Sequence, residues 1–504
     1  MNFALRLLQP GVDPARPSLI TLEAEHSRGE LQAAVGAVAR YLHDRGARPG
    51  ECVGIHGENS LFWVAAHLGA MHAGCVSVPI SPALSAAEAR SIVESTRLRF
   101  CFLDVRGSGA FKPALAGIEH VVTDKAAPFE LAGAAVTPFA DLPAGDPPPA
   151  PRGPEDLAAL LFSSGSTGKP RGVMLSHKNL IANTDSILDS IGIQAADRVM
   201  AVLPFHYTFG ASVLHTHLAV GAAVVIDKRF LFPDKVLQRM VETRCTGFAG
   251  VPSHYQILLR RSQLKTMKLP DLKWMQQAGG KLAEPFVREL RGLFPAVRLF
   301  VMYGATEATA RIAILPPDEV DARPWSVGKA IAGVTIRLLN EDGAEVPPGE
   351  PGEIVVQGDN VARGYFQDPE ESAATFKGGR LYTGDVAVQD PEGFLRIVDR
   401  AKSFLKCGGT RTSAQRIEEE LLAFPDIVEA AVVGIPDELL GEAVAAFVVA
   451  RDPDDASTVQ RLKAFAASRL APPLQPKIIE VLTTLPKSAA GKVQRRLLRE
   501  RLPR

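Results

Sequence analysis

Short apolar runs alternate with longer amphipathic stretches over most of the chain, and this alternation predicts strands and helices in turn. The segment "ECVGIHG" (51–57) predicts a strand, and "NSLFWVAAHLGAMHAG" (59–74) predicts a helix that ends at a glycine. "CVSVPI" (75–80) predicts another strand, and residues 86–95 another helix. The order strand, helix, strand is typical of a parallel sheet covered by helices on both faces.

A second series of the same kind follows a proline-rich connection at residues 143–157. After a strand at 158–162, the apolar runs predict strands at 198–203, 223–226, 245–251, 273–277 and 297–302, with helices between them. From about residue 326 the pattern changes to short strands with Asp-Gly and Pro-Gly turns, which predicts a β-rich subdomain. A small α+β unit of roughly 100 residues completes the chain.

Composition and charge narrow the class of protein. A chain of 504 residues is too long for one ordinary domain. Lys+Arg and Asp+Glu are both 56, so no overall charge indicates a nucleic-acid partner. The most apolar window, residues 61–80, contains two histidines and two glycines, which favours a buried helix and strand over a transmembrane segment.

The cysteines and the first residues bear on location. The five cysteines are scattered without a CxxC pair, which argues against a disulfide framework or a zinc site and fits a reducing compartment. The opening "MNFALRLLQPG" has too short an apolar run for a secretory signal. We therefore expect a cytoplasmic protein of several domains.

The segment "LLFSSGSTGKPRGVML" (160–175) places a loop of glycines and hydroxyls between two apolar strands. Backbone N–H groups, hydroxyls and the cations Lys169 and Arg171 are suited to phosphate oxygens. A Walker A loop would enter a helix directly, whereas here a strand follows and a helix begins only after Ser176. A flexible hairpin is the alternative, and the two cations favour an anion site of another kind.

Seven segments in order resemble the signature motifs of the adenylate-forming (ANL) superfamily, which includes acyl-CoA synthetases, the adenylation domains of peptide synthetases, and luciferases. They are "SSGSTGKPRGV" (163–173), "LPFHYTFG" (203–210), "QAGGKL" (277–282), "YGATEAT" (303–309), "LYTGD" (381–385), "IVDRAKSFLKCGGTR" (397–411) and "LPKSAAGKVQRR" (485–496). The resemblance covers essentially the whole chain. It implies an α/β fold with a large N-terminal adenylation domain (1–399) of two βαβ-type subdomains and the β-rich subdomain, a hinge (400–402) and a small mobile α+β domain (403–504).

The resemblance implies an acid–thiol ligase. The enzyme would use ATP and Mg²⁺ to convert a carboxylic acid to acyl-AMP with release of pyrophosphate, and then transfer the acyl group to the thiol of CoA. One alternative is delivery to the phosphopantetheine of an acyl carrier protein. A second is a luciferase-like oxygenase or a catalytically idle nucleotide-binding relative. The intact Glu307, Asp385, Arg400 and Lys492 argue against an idle relative, and nothing in the sequence supports oxygen chemistry.

Residue roles follow from the resemblance, motif by motif. The ATP-binding set is Ser163, Ser164, Gly165, Ser166, Thr167, Gly168, Arg171, Gly279, Gly280, Tyr303 and Asp385. Within it, the loop and Arg171 would hold the β- and γ-phosphates, Tyr303 would face adenine, and Asp385 would accept the ribose hydroxyls.

The catalytic set implied by the resemblance is Lys492, Thr306, Glu307 and Arg400, with Glu307 as the Mg²⁺ ligand. Taken singly, Glu307 is better explained as an acid at a helix N-terminus and Lys492 as part of a solvated basic helix face, while Asp385 could be a turn residue. Their motif contexts favour the functional roles.

The acid pocket is predicted from the same motifs to be mostly apolar, lined by His206, Phe209, Val251, Pro252 and Ala305. Amino-acid-activating relatives place an aspartate in the 203–210 motif, but no carboxylate is present in this one. Because an unpaired ammonium would be costly to bury, we expect a fatty or aryl acid and not an amino acid.

The remaining assignments concern the C-terminal region and two histidines. Lys402 is the expected pivot that withdraws Lys492 after adenylation. Gly408 and Gly409 would then line a tunnel for the thiol, although a glycine pair is equally a turn. His215 and His217 lack a third ligand at suitable spacing, so we expect helix-surface or core histidines and no metal site.

Overall fold

The structure is a computed structural model. It describes residues 1–106, 109, 111–126, 131, 133–145, 147–164, 170–400, 404–407, 410–437, 440–455, 457–487 and 493–502. Within these ranges, eight side chains are not described, those of Ser163, Ser164, Asp399, Arg400, Phe404, Lys406, Thr410 and Arg411.

Along the described residues, α-helices and β-strands alternate over most of the length, which confirms the α/β class. The helices are α1 Phe3–Leu7, α2 Arg28–Asp44, α3 Leu61–His72, α4 Ala86–Thr96, α5 His177–Ile191, α6 Thr208–Val220, α7 Pro233–Glu242, α8 Pro252–Arg261, α9 Glu284–Leu293, α10 Pro369–Thr375, α11 Ala414–Leu422, α12 Thr458–Arg469 and α13 Arg495–Arg499. The strands are β1 Pro17–Ile20, β2 Glu25–Ser27, β3 Cys52–His56, β4 Val76–Ile80, β5 Phe100–Leu103, β6 His120–Thr123, β7 Ala135–Pro138, β8 Leu157–Ser164, β9 Pro170–Ser176, β10 Arg198–Ala201, β11 Ala223–Ile226, β12 Gly247–Gly250, β13 Trp274–Gln277, β14 Arg298–Tyr303, β15 Ala313–Leu315, β16 Lys329–Ala330, β17 Val334–Leu339, β18 Pro351–Gly358, β19 Phe376–Lys377, β20 Arg380–Gln389, β21 Leu395–Arg400, β22 Phe404–Cys407, β23 Thr410–Ser413, β24 Ile427–Asp437, β25 Gly441–Ala450 and β26 Ile478–Val481.

Two large sheets carry most of the chain. One has the order β7-β6-β5-β3-β4-β8-β9 and is parallel except at β9. The other has the order β16-β15-β14-β13-β12-β10-β11-β1-β2, with a parallel centre and antiparallel edges. The N-terminal strand β1 pairs with β11 in this second sheet, and β8, which follows the proline-rich connection, pairs with β4 in the first. The order along the chain therefore does not divide the strands between the two sheets.

Two smaller sheets follow, in line with the predicted change of pattern near residue 326. Strands β17, β18, β20 and β19 form one sheet, to which β21 adds beside β20. Strands β23, β22, β25 and β24 form the other, to which β26 adds beside β25. Two contacts join this C-terminal part to the large region, the ion pair between Lys281 and Glu419 of α11 (2.5 Å) and a hydrogen bond from Arg261 to the Ala450 carbonyl in β25 (2.8 Å). The domain boundaries at 399 and 403 stay predictions.

Local sequence explains where several helices begin and end. Ser27, Ser85 and Ser176 cap α2, α4 and α5 through reciprocal hydrogen bonds with the third helical residue. Helix α3 is buried on nearly every side, as the apolar window predicted. Strand β12 is shorter than the predicted 245–251, because Val251 already caps α8 with Pro252 at its first position. Within the described ranges, every helix is too short or too polar to span a bilayer.

Candidate active site

The predicted nucleotide residues meet at the carboxyl end of β14. Tyr303 is the last residue of that strand, and its hydroxyl donates a hydrogen bond of 2.6 Å to Oδ2 of Asp385 in β20. Arg400 lies directly opposite Asp385 in the β20–β21 pairing, although its side chain is not described. The carboxyl edge of parallel strands is where open α/β sheets bind ligands. The structure therefore brings together the residues expected to face adenine and ribose.

The turn after Tyr303 carries Thr306 and Glu307. The Thr306 hydroxyl lies 2.8 Å from that of Thr208, the first residue of α6. Oε1 of Glu307 accepts a hydrogen bond of 3.0 Å from the hydroxyl of Tyr365. Burial, followed by the nearby charge of Glu307, raises the pKa of Tyr365, so the phenol stays a donor that orients the carboxylate. The carboxylate and hydroxyl oxygens present here are ligands of the kind that Mg²⁺ prefers.

Arg171 is already paired with acids. Its Nη1 lies 2.8 Å from Oε1 of Glu371 and its Nε 3.8 Å from Oδ2 of Asp368, and the guanidinium stacks over the ring of Tyr365 at 5.6 Å. Contact with a phosphate would require exchange of these partners. The backbone of Ser163 and Ser164 pairs with that of Arg171 and Pro170 in β9, while Gly165, Ser166, Thr167 and Gly168 lie outside the described residues.

The glycine segment after β13 packs on two residues of the predicted acid pocket. Gly279 has a φ of +84°, and a Cβ there would lie 2.9 Å from Cγ1 of Val251. A Cβ on Gly280 would lie 3.3 Å from Cγ of Pro252. Glycine is required at 279 for both its conformation and this close approach.

Of the other pocket residues, Phe209 is buried, and His206 and Ala305 are half-buried. His206 and Phe209 lie on either side of the start of α6, and Ala305 is half-buried in the turn after β14. Burial lowers the pKa of His206 to about 4, and its Nε2 has no hydrogen-bond partner among the described residues. This side of the site therefore presents a neutral imidazole and apolar surface.

The predicted histidine pair in α6 is confirmed as core. His215 and His217 are 4% and 0% exposed. Nε2 of His215 lies 3.1 Å from Nε2 of His67, and Nδ1 of His217 lies 2.7 Å from the Val213 carbonyl. Both rings are therefore used in packing.

The C-terminal assignments lie outside the described residues, namely Lys402, Gly408, Gly409 and Lys492. Lys487 and Val493, which flank the segment containing Lys492, pair as a single antiparallel bridge. Burial, helped by the charge of Lys487, lowers the pKa of His254 in α8 to about 3. Lys487, in the C-terminal lysine motif, is therefore near enough to α8 to influence the charge of His254.

Several residues that the sequence interpretation missed hold the predicted ones in place. Tyr365 orients Glu307, Glu371 binds Arg171, and Thr208 contacts Thr306. Thr208 lies inside the 203–210 motif, so the sequence alone could have indicated it. Tyr365 and Glu371 come from a different part of the chain, and only their proximity in space reveals their roles.

Comparison with known proteins agrees with this geometry. The model of the AMP-binding enzyme family matches residues 9–366, and that of the AMP-binding enzyme C-terminal domain matches 416–492. The feruloyl-CoA synthase of an Amycolatopsis species is 32% identical over 478 residues, which cover 94% of this chain and 93% of that protein. The anthranilate CoA ligase AuaEII in complex with anthranoyl-AMP has a TM-score of 0.91 at 26% identity, covering 99% of this chain and 97% of its own. ATP-bound MatB from Rhodopseudomonas palustris has a TM-score of 0.86 at 29% identity, covering 99% and 98%. The chain therefore belongs to the AMP-binding enzyme family, and it is an acid–thiol ligase of the acyl-CoA synthetase type.

Proposed function

We propose that this enzyme uses ATP to convert a fatty or aryl carboxylic acid to its acyl-adenylate and then transfers the acyl group to CoA. The observation that carries the proposal is the cluster at the end of β14. There Tyr303, whose hydroxyl binds Asp385 in a pair suited to a nucleoside, lies within four residues of Thr306 and Glu307, which are suited to phosphate and metal. The names of the feruloyl-CoA synthase and of ATP-bound MatB support the acceptor and the nucleotide.

Adenylation joins a carboxylate to a polyanion, so positioning and charge neutralisation supply most of the catalysis. The Tyr303 ring would support adenine while the Asp385 carboxylate accepts the ribose hydroxyls. Thr306 would donate to the α-phosphate, and Lys492 would neutralise charge between it and the incoming carboxylate. Mg²⁺ held by Glu307 would offset the phosphate charge.

In the thiol step, Lys492 must be replaced in the site by the incoming thiol. Lys492 must leave before a thiol can approach the acyl-adenylate, so we propose that the C-terminal domain pivots at Lys402. Gly408 and Gly409 would then border the path of the pantetheine arm. All five cysteines are free thiols, and we place the enzyme in the reducing cytoplasm.

The nature of the acid follows from the pocket. His206 is neutral, and the 203–210 segment offers no carboxylate to a substrate ammonium. Burying an unpaired ammonium there would cost several kcal/mol, which is about the desolvation penalty of one isolated charge. We therefore propose an acid without an α-amino group.

A pyrophosphate-release assay over a panel of alkyl, aryl and amino acids, with and without CoA, tests the proposal. We expect release with at least one acid that has no amino group, acceleration by CoA, and formation of the acyl-CoA by mass spectrometry. If CoA does not accelerate turnover but a phosphopantetheinylated carrier protein does, the acceptor is the carrier protein and not CoA. No pyrophosphate with any acid would contradict the proposal and favour an idle nucleotide-binding relative.

A further inference from the structure

Arg311 is a buried cation that has no anionic partner among the described residues. It lies between the 303–309 turn and β15, with 1% of its surface exposed. Its guanidinium stacks on Phe209, with Cζ 4.1 Å from the ring centroid, and its Nε lies 3.3 Å from Sδ of Met302. Nη2 has no hydrogen-bond partner among the described residues, and no described carboxylate contributes to its electrostatics.

The isolation of this charge is unusual, because buried cations are normally paired or fully hydrogen-bonded. Burial lowers the pKa of Arg311 to about 9, so the group remains a cation at neutral pH. A thioether sulfur is a weak acceptor, and the ring face of Phe209 offsets only part of the lost hydration. The described residues therefore leave the charge at this position without a neutralising partner.

Arg28 shows what a buried structural arginine looks like in the same chain. It is also 1% exposed, but its Nη1 donates to the Leu218 carbonyl at 3.0 Å and its Nη2 to the Leu7 carbonyl at 2.5 Å. These bonds tie α1 to the end of α6. Arg311 makes no comparable bond from its Nη atoms among the described residues.

The backbone holds Arg311 firmly. Its N–H donates to Oδ1 of Asn183 at 3.1 Å, and its carbonyl accepts from Nδ2 of Asn183 at 2.8 Å and of Asn360 at 3.1 Å. The turn folds so tightly that a Cβ on Gly304 would lie 1.6 Å from the Ala310 carbonyl oxygen. A cation fixed in this way is preorganised for a ligand.

The surroundings of the guanidinium place it at the wall of the acid pocket. Phe209 belongs to the predicted pocket, and the hydroxyl of Tyr207 is near enough to influence the charge of Arg311. That hydroxyl lies 3.7 Å from the position of a Cβ on Gly279, the residue that packs against Val251. Arg311 thus borders the same apolar surface that would receive the body of the acid.

We propose that Arg311 recognises a second carboxylate on the substrate, so that the enzyme prefers dicarboxylic acids to monocarboxylic ones. The inference rests on the proposed function, because it assigns the far end of an acid whose other carboxylate is activated near Thr306. A guanidinium fork matches a carboxylate in two parallel hydrogen bonds, which would give Nη2 its missing partner. The apolar walls would then contact the alkyl or aryl part between the two carboxylates.

The test compares each diacid with its own monomethyl ester, which keeps the length and removes one charge. Suitable pairs come from succinate, glutarate, adipate and isophthalate, and the readout is kcat/KM for CoA-dependent pyrophosphate release. We expect the wild type to favour at least one diacid roughly 100-fold or more over its ester, since a site built around a polar group rejects analogues that lack it. Arg311→Met should reduce that ratio at least about tenfold while the KM for ATP stays unchanged.

Arg298→Met is the matched control. Its guanidinium also stacks on a phenylalanine, Phe300 at 5.6 Å, but it lies at the opposite end of β14 from Tyr303. We expect this variant to keep the wild-type diacid preference. Circular dichroism reports whether each variant folds. If Arg311→Met does not fold, the test uses Arg311→Lys together with the diacid-to-ester ratio of kcat/KM in the wild type. The wild-type ratio can be measured without any variant.

If each ester is turned over as fast as its diacid, the inference is overturned and the proposed function still stands. An equal loss on diacids and esters in Arg311→Met would also overturn it, because it would indicate a structural role. No pyrophosphate with any acid would contradict both proposals.

Discussion

The nucleotide side and the acid side of the candidate site differ in how their polar groups are satisfied. On the nucleotide side, predicted residues are bound to other side chains, as in Tyr303–Asp385 at 2.6 Å and Arg171–Glu371 at 2.8 Å. On the acid side, Nε2 of His206 and Nη2 of Arg311 are buried without partners among the described residues.

This difference separates the side chains that serve the reaction of every acid from the side chains that select one acid. Paired groups are oriented before a ligand arrives, which suits a nucleotide common to all reactions of the family. Buried groups without partners carry a desolvation cost that a fitting ligand can remove. Changes on the nucleotide side should therefore affect all acids alike, whereas changes on the acid side should alter the ratio between acids.

Lys492→Ala provides the largest expected effect. Removing the cation that we propose lies between the carboxylate and the α-phosphate should slow adenylation roughly 100- to 1,000-fold with every acid, the range for losing one preorganised electrostatic contact. Thioester formation from chemically prepared acyl-adenylate should continue, because this lysine acts before the thiol enters. Unchanged pyrophosphate release in the variant would remove Lys492 from the catalytic assignment.

Asp385→Asn tests whether the nucleotide side is indifferent to the acid. The amide replaces an acceptor oxygen with a donor, so it can no longer accept from both ribose hydroxyls and from Tyr303. We expect the KM for ATP to rise about 10- to 100-fold, the equivalent of roughly 1.5–3 kcal/mol for a charged hydrogen bond. The ratio between diacid and ester should not change. A changed ratio would mean that the two sides are coupled.

Arg311→Met should have the smallest effect when stability is measured without substrate. Replacing an unpaired buried cation by an apolar side chain of similar length should leave the free energy of unfolding unchanged or raise it by about 1 kcal/mol. Thermal or urea unfolding of the two proteins at pH 7, with Arg298→Met as control, measures this. A loss of stability beyond about 1 kcal/mol would show that the guanidinium supports the fold and would weaken the contrast between the two sides.

The comparison with Arg28 supports that expectation. Loss of its guanidinium would leave the Leu7 carbonyl without its donor, at a cost of about 1–3 kcal/mol. The Leu218 carbonyl would keep one donor, the N–H of Gly221 at 3.2 Å. Because Arg311 donates to no carbonyl among the described residues, its removal carries no such penalty.

Sequence alone determined the elements and the main chemical groups of the nucleotide side. Apolar periodicity located α3 and β11 closely because it is a local property of the chain, and the serine cap of α5 was equally local. The motif around Tyr303 and the separate Asp385 were both assigned from sequence, and the structure places them in contact.

Only the tertiary structure decided which distant segments meet. It joined β1 to β11 in one sheet, and it brought Tyr365 to Glu307 across 58 positions of sequence. Neither contact leaves a periodic signal, since each depends on how whole sheets pack. The isolation of Arg311 is of the same kind, because the absence of a partner is a property of everything packed around a side chain and cannot be read from its neighbours along the chain.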